Sequence, residues 1–288
     1  MANILSTEKQ ILCLKLLAEG NSIRATERIT EVHRDTVMRL MVKFGQGCEK
    51  LLEESIQDVF CRHLEIDEQW TFCGKKQAQC NDEEKASGVL GDQYLFLALD
   101  QDTGLIPAHF LGKRNDQSTF AFFVKLIHRI ALPADINGDH SKKPMFSTDG
   151  FPSYPNKIYE VFGELVQHGV IVKNYANEES GRYAAPDLSF CDRRRVQFVE
   201  NLRDICTSHV ERLNNTTRQH VKRFTRLTLA FSKKIENLKA AISMYVANHN
   251  FVWRSRENEG GRFKLPAAMQ AGIVNTLWSF DDLFEAVM

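Results

Sequence analysis

Residues 64–72, LEIDEQWTF, decide the fold of the central part of the chain. Apolar residues stand at positions 64, 66, 70 and 72 and polar residues at positions 65, 67, 69 and 71, which is the alternation of a half-buried β-strand. Glu68 interrupts the apolar set. Because neighbouring side chains of a strand point to opposite faces, we expect only one of Asp67 and Glu68 to join a given site.

Apolar runs on the carboxyl side of this strand predict further strands and helices. In chain order they are the hairpin strands YLFLALD (94–100) and LIPAHFLGKR (105–114), the helix QSTFAFFVKLIHRIA (117–131), the strand PMFSTDG (144–150), the helix YPNKIYEVFG (154–163) and the strand VIVKN (170–174). Two closing helices are predicted from Ser208 to about Arg226 and from Ser232 to about Asn250. Strands separated by crossover helices indicate a mixed α/β layer fold.

The first 50 residues predict three helices. Ser6 and Ser22 are suitable N-caps, and Gly20 is predicted to end the first helix. Two short helices, a tight link and a third helix that starts with exposed polar residues are typical of a helix-turn-helix, whose last helix enters the major groove. An ordinary three-helix bundle is the alternative. The residues predicted to face DNA are Arg34, Thr36 and Arg39.

Charge is unevenly distributed along the chain. The 37 basic and 37 acidic residues cancel, so the net charge alone indicates no nucleic-acid partner. Between Thr207 and Lys239, however, there are eight basic residues and two acids, which gives this segment a net charge of +6. The rest of the chain therefore carries a net charge of −6. This asymmetry predicts a phosphate-facing patch, with a solvated helix face as the alternative. The basic residues are Arg212, Arg218, Lys222, Arg223, Arg226, Lys233, Lys234 and Lys239.

Composition limits the class of protein. A chain of 288 residues with 43% hydrophobic residues is expected to hold one main domain and a smaller one. Seven scattered cysteines without a CxxC pair favour reduced thiols in a cytoplasmic protein. The N-terminus has no apolar signal core, and we expect no membrane association. A zinc site at Cys61, His63, Cys73 and Cys80 is disfavoured by their irregular spacing.

Three acids on separate elements are the candidate site: Asp67 in a strand, Asp149 at a strand end and Glu211 on a basic helix. Carboxylates brought together by the fold suit Mg²⁺, which commonly shares such ligands with substrate phosphates, so phosphoryl transfer on nucleic acid is predicted. Each acid also has a structural interpretation. Asp67 could face solvent, Asp149 could be a turn residue, and Glu211 could complete a capping box with Ser208.

Several segments resemble the single-chain transposases of the insertion-sequence-one family. They are STEKQILCLKLLAEGNSIRATERIT (6–30), IDEQWTF (66–72), STDG (147–150), TSHVERLNNTTRQHVKRFTRLTLAFSKKIENL (207–238) and PAAMQAGI (266–273). The resemblance covers nearly the whole chain and is most specific around Glu211. It implies a ribonuclease-H-like mixed sheet with flanking helices (60–255), preceded by a small all-α helix-turn-helix domain (1–55) and followed by a C-terminal loop and short helix (256–288).

The resemblance also assigns roles residue by residue. The family's two aspartates fall on Asp67 and Asp149 and its glutamate on Glu211, which favours Asp67 over Glu68. The basic residue that follows on the same helix falls on Arg218, two helical turns after Glu211. Two Mg²⁺ ions, replaceable by Mn²⁺, are the implied cofactors. The residues implied to contact DNA phosphates are Arg212, Lys222, Arg223 and Arg226.

The implied function is metal-dependent cleavage and strand transfer at the ends of an insertion sequence. Double-stranded DNA, as inverted-repeat ends and target, and a second copy of the chain in a homodimer are the implied partners. Many relatives carry an N-terminal zinc module, and this chain lacks the paired cysteines for one. End recognition would then depend on Arg34, Thr36 and Arg39. The alternatives are a catalytically inactive transposase-derived DNA-binding regulator and a ribonuclease-H-like nuclease without joining activity.

Overall fold

A mixed β-sheet forms the centre of the molecule. The computed structural model describes residues 5–134, 142–175, 188–225, 228–256 and 261–288. Within these ranges six strands form one sheet in the order β3-β2-β1-β4-β5-β6. Their bounds are β1 His63–Cys73, β2 Gly91–Asp100, β3 His109–Gly112, β4 Met145–Thr148, β5 Gln167–Tyr175 and β6 Leu188–Gln197. The strands β1, β4 and β5 are parallel, whereas β2, β3 and β6 run antiparallel to their neighbours.

Helices flank the sheet, and the whole is consistent with a ribonuclease-H-like fold. The helices are α1 Thr7–Ala18, α2 Ile23–Thr30, α3 Arg34–Ser55, α4 Asp82–Ser87, α5 Asp116–Ile127, α6 Ser153–Phe162, α7 Ser208–His220, α8 Ile235–Phe251, α9 Ala267–Gln270 and α10 Phe280–Val287. Among the helices in the described ranges, none combines the length and the apolar character needed to cross a bilayer.

The three N-terminal helices form as expected from their caps. Ser6 accepts a hydrogen bond from the Lys9 amide and Ser22 from the Ala25 amide, and Gly20 after α1 has a φ of +79°. The third helix is longer than the sequence indicated and packs along α8. Gly45 permits this contact, because a Cβ there would lie 2.2 Å from the Ala240 carbonyl oxygen. These helices share the main hydrophobic core with the sheet, and their helix-turn-helix role stays a prediction.

Three of the helices and strands, α4, β6 and α10, were not predicted from the sequence. The edge strand β6 contains the charged run DRRR (192–195), which lacks the apolar alternation of a half-buried strand. Helix α10 lies in the tail, for which only a loop and a short helix were expected. A capping box between Ser279 and Asp282 begins it, and the Phe280 ring stacks 5.7 Å from that of Phe44 in α3. The tail is therefore part of the core.

Helix α7 is shorter than expected. It was predicted to reach about Arg226, but it ends at His220, and Lys222–Phe224 forms a 3-10 turn. The buried Val221 takes an extended conformation (φ −106°, ψ 95°) between the two and so interrupts the α-helix. The basic residues after His220 are therefore not aligned on one helix face with those of α7.

The polar face of β1 is buried, which corrects the expectation of a half-buried strand. Glu65, Gln69 and Thr71 are each at most 2% exposed, because α7 and the 3-10 turn cover them. Gln69 Nε2 donates to the Asn214 carbonyl at 2.9 Å, and Thr71 Oγ1 donates to the Arg223 carbonyl at 3.0 Å. Backbone carbonyls thus accept the buried donors of Gln69 and Thr71, which lowers the cost of burying them. This contact sets the position of α7 over the sheet.

Candidate active site

The two aspartates meet where the carboxyl end of β4 lies beside the middle of the parallel strand β1. Ile66 of β1 pairs with Thr148 of β4, so Asp67 and Asp149 follow at neighbouring positions. Asp149 lies one residue beyond β4, where its Oδ1 accepts the Phe151 amide at 2.9 Å. One carboxylate oxygen from each of Asp67, Glu68 and Asp149 lies within 4.8 Å of the others.

The expectation that only one of Asp67 and Glu68 could join a site is therefore wrong. Asp149 lies past the end of its strand, so its carboxylate is not confined to one face of the sheet and reaches both neighbours. Glu68, with a side chain 3% exposed, accepts Arg114 Nε at 2.7 Å and the Tyr154 hydroxyl on the α5–α6 side. The fourth acid of the region is thus already held by two donors.

Glu211 approaches the aspartates from α7. Its Oε1 accepts the Thr207 hydroxyl at 2.7 Å and forms an ion pair with Lys173 of β5. Thr207, not Ser208, is the N-cap residue, so the capping box that would have explained Glu211 structurally does not form. Burial is the largest cause of the raised pKa of Asp67 and of Asp149, and the negative charge of Glu211 raises both further, so Glu211 lies within electrostatic range of the pair.

A buried carboxylate holds the start of α7. Glu65 Oε2 accepts the backbone amides of His209 at 2.8 Å and Val210 at 2.9 Å, and Glu65 Oε1 lies 2.6 Å from His209 Nδ1. Helix N-termini leave amides without intrahelical partners and favour negative charge, so Glu65 satisfies both requirements. Glu65, Cys206 and His209 could also hold a metal, but both Glu65 oxygens already serve α7.

A second tether joins α7 to Asp67 itself. Asn214 Nδ2 donates to Asp67 Oδ2 at 2.7 Å, one helical turn after Glu211. Sequence reasoning missed both Glu65 and Asn214. The available signals were the polar-face position of Glu65 two residues before Asp67, and the i, i+3 spacing of Asn214 from Glu211.

Burial and mutual repulsion define the electrostatics of the site. Burial, followed by the charges of Glu68 and Asp149, raises the pKa of Asp67 to about 7. Burial and the charge of Asp149 raise the pKa of Glu68, and burial raises that of Asp149. The positive charges of Arg114 and Lys173 oppose this effect at Asp149. A divalent cation that prefers oxygen ligands would relieve the repulsion, so the donor set fits Mg²⁺.

The basic residues of the patch are placed differently from one another. Arg212 and Lys222 are exposed, whereas Arg218 is half-buried and donates to Asn215 Oδ1 at 2.9 Å. Arg223 turns inward, with Nε donating to Ser232 Oγ at 2.6 Å, and burial lowers its pKa to about 10. Arg226 lies outside the described residues.

The residues predicted to read DNA lie at the start of α3. Arg34 and Arg39 are exposed. Thr36 is partly buried and its hydroxyl accepts Arg39 Nη2 at 3.3 Å. The Arg34 amide donates to Glu27 Oε1 at 2.8 Å, which fixes the start of α3 against α2. Both arginine side chains are therefore accessible to a partner, and base reading stays a prediction.

A comparison with protein families matches residues 182–252 to the IS1 transposase family. The matched range contains Glu211, Asn214 and Arg218 and ends one residue after α8. Over residues 182–252 the match confirms the resemblance to the IS1 transposase family that was identified from the sequence. In a search of curated proteins, no relative of the chain was found.

Proposed function

We propose that this protein is a DNA transposase that cuts the ends of an insertion sequence and joins them to a target, with Asp67, Asp149 and Glu211 as its catalytic acids. The observation that carries the proposal is that the carboxylates of Asp67 and Asp149 come together on neighbouring strands, beside a helix that brings Glu211 towards them. The family match, which covers the Glu211 helix, supports the same reaction class.

The metal would be held by the three carboxylates. Mg²⁺ or Mn²⁺ bound there supplies Lewis-acid stabilisation of the charge that develops on the phosphate oxygens. The chain's own groups orient these ligands: Asn214 fixes one oxygen of Asp67, and the Phe151 amide fixes one oxygen of Asp149. Such supporting contacts hold metal ligands in a productive geometry.

DNA would lie across the exposed basic residues near α7. Arg212 and Lys222 can meet backbone phosphates without reading sequence, and the half-buried Arg218 would act closer to the acids. Arg34, Thr36 and Arg39 at the start of α3 would contact base edges at the inverted repeats. The proposal includes a homodimer, because two element ends have to be joined in one reaction.

A DNA-binding regulator without catalysis is the weaker candidate. Burying several carboxylates side by side raises their pKa values and costs stability, and binding DNA alone does not require such a cluster. A charge cluster of this kind is typical of a catalytic or metal-binding centre.

The experiment that tests the proposal uses the DNA that flanks the gene. A duplex that carries its terminal inverted repeat is incubated with the protein, a target plasmid and Mg²⁺, with Asp149→Asn as the matched control. Joined products that require Asp149 support a transposase. Cleavage without joining would identify a nuclease instead, and binding without cleavage would identify a regulator.

A further inference from the structure

Lys173 of β5 forms an ion pair with Glu211, one of the three proposed catalytic acids. Within the described part of the chain, no other residue of β5 forms an ion pair with these acids. Its strand lies beside β4, which in turn lies beside β1, and all three run parallel. The register pairs Ile66 with Thr148 and Thr148 with Val170, so Lys173 lies beyond these pairs in the same direction along the strands as Asp67 and Asp149. The fold thus places an ammonium group near the position where the acids meet.

The ammonium and the Thr207 hydroxyl both bind Glu211 Oε1. Together they hold the Glu211 carboxylate towards β5, while Asp67, Glu68 and Asp149 form their own group within 4.8 Å. The Lys173 side chain is 23% exposed and that of Glu211 is 42% exposed, so solvent reaches both partners of the ion pair. A carboxylate oxygen paired with an ammonium becomes a metal ligand only by giving up that pair.

We propose that Lys173 is a positioning residue that competes with a divalent cation for Glu211. In the metal-free protein it neutralises Glu211 and limits the repulsion among the acids, and it releases the carboxylate when the cation binds. Lys173 therefore lowers the affinity of the site for the cation. The inference rests on the proposed function, because it assumes that Glu211 is a ligand.

Arg114 also pairs with an acid of the site, but its ion pair is held more rigidly than that of Lys173. Its guanidinium pairs with Glu68 and lies 4.1 Å from the centre of the Phe151 ring, on the α5–α6 side of the sheet. That arrangement is fixed by stacking and by a nearly fully buried partner. Lys173 has a flexible, partly exposed side chain, and its partner Glu211 is more exposed. This is expected of an ammonium group that a cation can displace from the carboxylate.

The test is a calorimetric titration with Mn²⁺ in the absence of DNA, so that no catalysis is involved. It compares the wild type, Lys173→Met, Glu211→Gln and the double variant. An exposed ion pair worth about 1 kcal/mol corresponds to about fivefold in affinity. We expect Lys173→Met to bind Mn²⁺ about fivefold more tightly than the wild type, and this gain to shrink markedly in the Glu211→Gln background. The double-variant comparison isolates the pair from other effects.

Equal tightening in both backgrounds would overturn the inference, because Lys173 would then act only through its long-range charge. Unchanged affinity in Lys173→Met would overturn it as well. If the Lys173→Met variant does not fold, Lys173→Arg can be compared with the wild type in the same titration. A planar guanidinium pairs more firmly with a carboxylate, so we expect weaker Mn²⁺ binding, and equal or tighter binding contradicts the inference.

The same titration separates this inference from the proposed function. If Asp67→Asn leaves Mn²⁺ binding unchanged, the cation does not bind at the acids and the proposed function fails. If Asp67→Asn removes binding while Lys173 has no effect, the proposed site stands and only the competition is refuted.

Discussion

Asn214 and Asp67, which are 147 residues apart in the chain, are joined by a hydrogen bond of 2.7 Å between a helix and a strand. Asn214 is 5% exposed, so the bond forms away from bulk water. Glu211 lies one helical turn before Asn214 on the same helix. The bond therefore fixes the helical acid relative to the strand acid, and the geometry of the site depends on how α7 docks on β1.

Replacing Asn214 with Leu should loosen this docking. The substitution keeps similar volume but removes the donor, and the free energy of unfolding should fall by about 1 to 2 kcal/mol. Mg²⁺-dependent cleavage should fall by a larger factor, because Asp67 loses its orienting partner. Urea unfolding and a cleavage assay measure the two effects. The control is Gln219→Ala, at an exposed position of α7, and an Asn214 variant that behaves like this control would refute the role.

Glu65→Gln should destabilise the protein, because an amide cannot accept all three hydrogen bonds that the buried carboxylate receives at the start of α7. Loss of charge-assisted bonds at a helix N-terminus predicts a decrease of about 1 to 3 kcal/mol in the free energy of unfolding. Glu54→Gln, at a side chain 65% exposed, is the matched control and should change little. Equal stability of the two variants in urea would show that Glu65 does not anchor α7.

The pKa of Asp67 predicts a pH dependence in metal-free buffer. Its folded value of about 7 lies above the ordinary value of 3.8, so the folded state favours the protonated carboxyl. Deprotonating Asp67 therefore lowers the free energy of unfolding. This decrease is absent below about pH 4, grows between the two pKa values, and is complete above about pH 7. Asp67→Asn should therefore raise the free energy of unfolding at pH 8, by about 1 to 4 kcal/mol, and have little effect at pH 4.

Chemical denaturation with EDTA present tests this pH prediction. Mg²⁺ should stabilise the wild type at pH 8 and should stabilise Asp67→Asn much less, because the ion needs the carboxylate. An Asn variant that is less stable than the wild type at pH 8 would contradict the account of repulsion among the acids.

Lys222 and Arg223 are neighbours with different predicted effects. Lys222 is exposed, so Lys222→Ala should weaken binding to every duplex alike and flatten the salt dependence of the affinity. Arg223 binds Ser232 and points inward, so Arg223→Ala should mainly lower the free energy of unfolding. Binding titrations over a salt series and urea unfolding distinguish the two. A large loss of DNA affinity in a stable Arg223→Ala variant would reverse the assignment.

Base reading by α3 predicts a sequence-dependent effect. Replacing Arg34 or Arg39 with Ala should weaken binding to the cognate end by about 1 to 3 kcal/mol where a bidentate base contact is lost. Binding to scrambled DNA should change less. Equal losses on cognate and scrambled duplexes would show that these arginines meet phosphates only.

Much of the fold could be predicted because its signals are local. The alternation in β1, the turn between β2 and β3, and the caps of α1 and α2 each depend on residues a few positions apart. The sequence alone also placed Asp67 within one strand and Asp149 at the end of another, and the two lie side by side because these strands are parallel neighbours. The edge strand β6 was not predicted because its run of charged residues lacks the alternation of apolar and polar residues that marks a half-buried strand.

The contacts that build the site could not be predicted, since they depend on the register between distant elements. The pairing of Thr148 with Val170 decides that Lys173 reaches Glu211, and the docking of α7 decides that Glu65 receives its amides. Strand alternation predicted that only one of Asp67 and Glu68 joins the site, and the family resemblance favoured Asp67. That rule does not limit Asp149, which lies beyond its strand.

The most direct test of the central claim is Mg²⁺-dependent strand cleavage at the terminal repeat by Asp67→Asn, Asp149→Asn and Glu211→Gln. The control is Glu160→Gln, at a side chain 50% exposed on α6. We expect each of the three to keep its fold and its affinity for the duplex and to lose cleavage by at least about a hundredfold, while the control cleaves normally. Cleavage at the normal rate by any of the three folded variants would contradict the claim that these acids form the catalytic site.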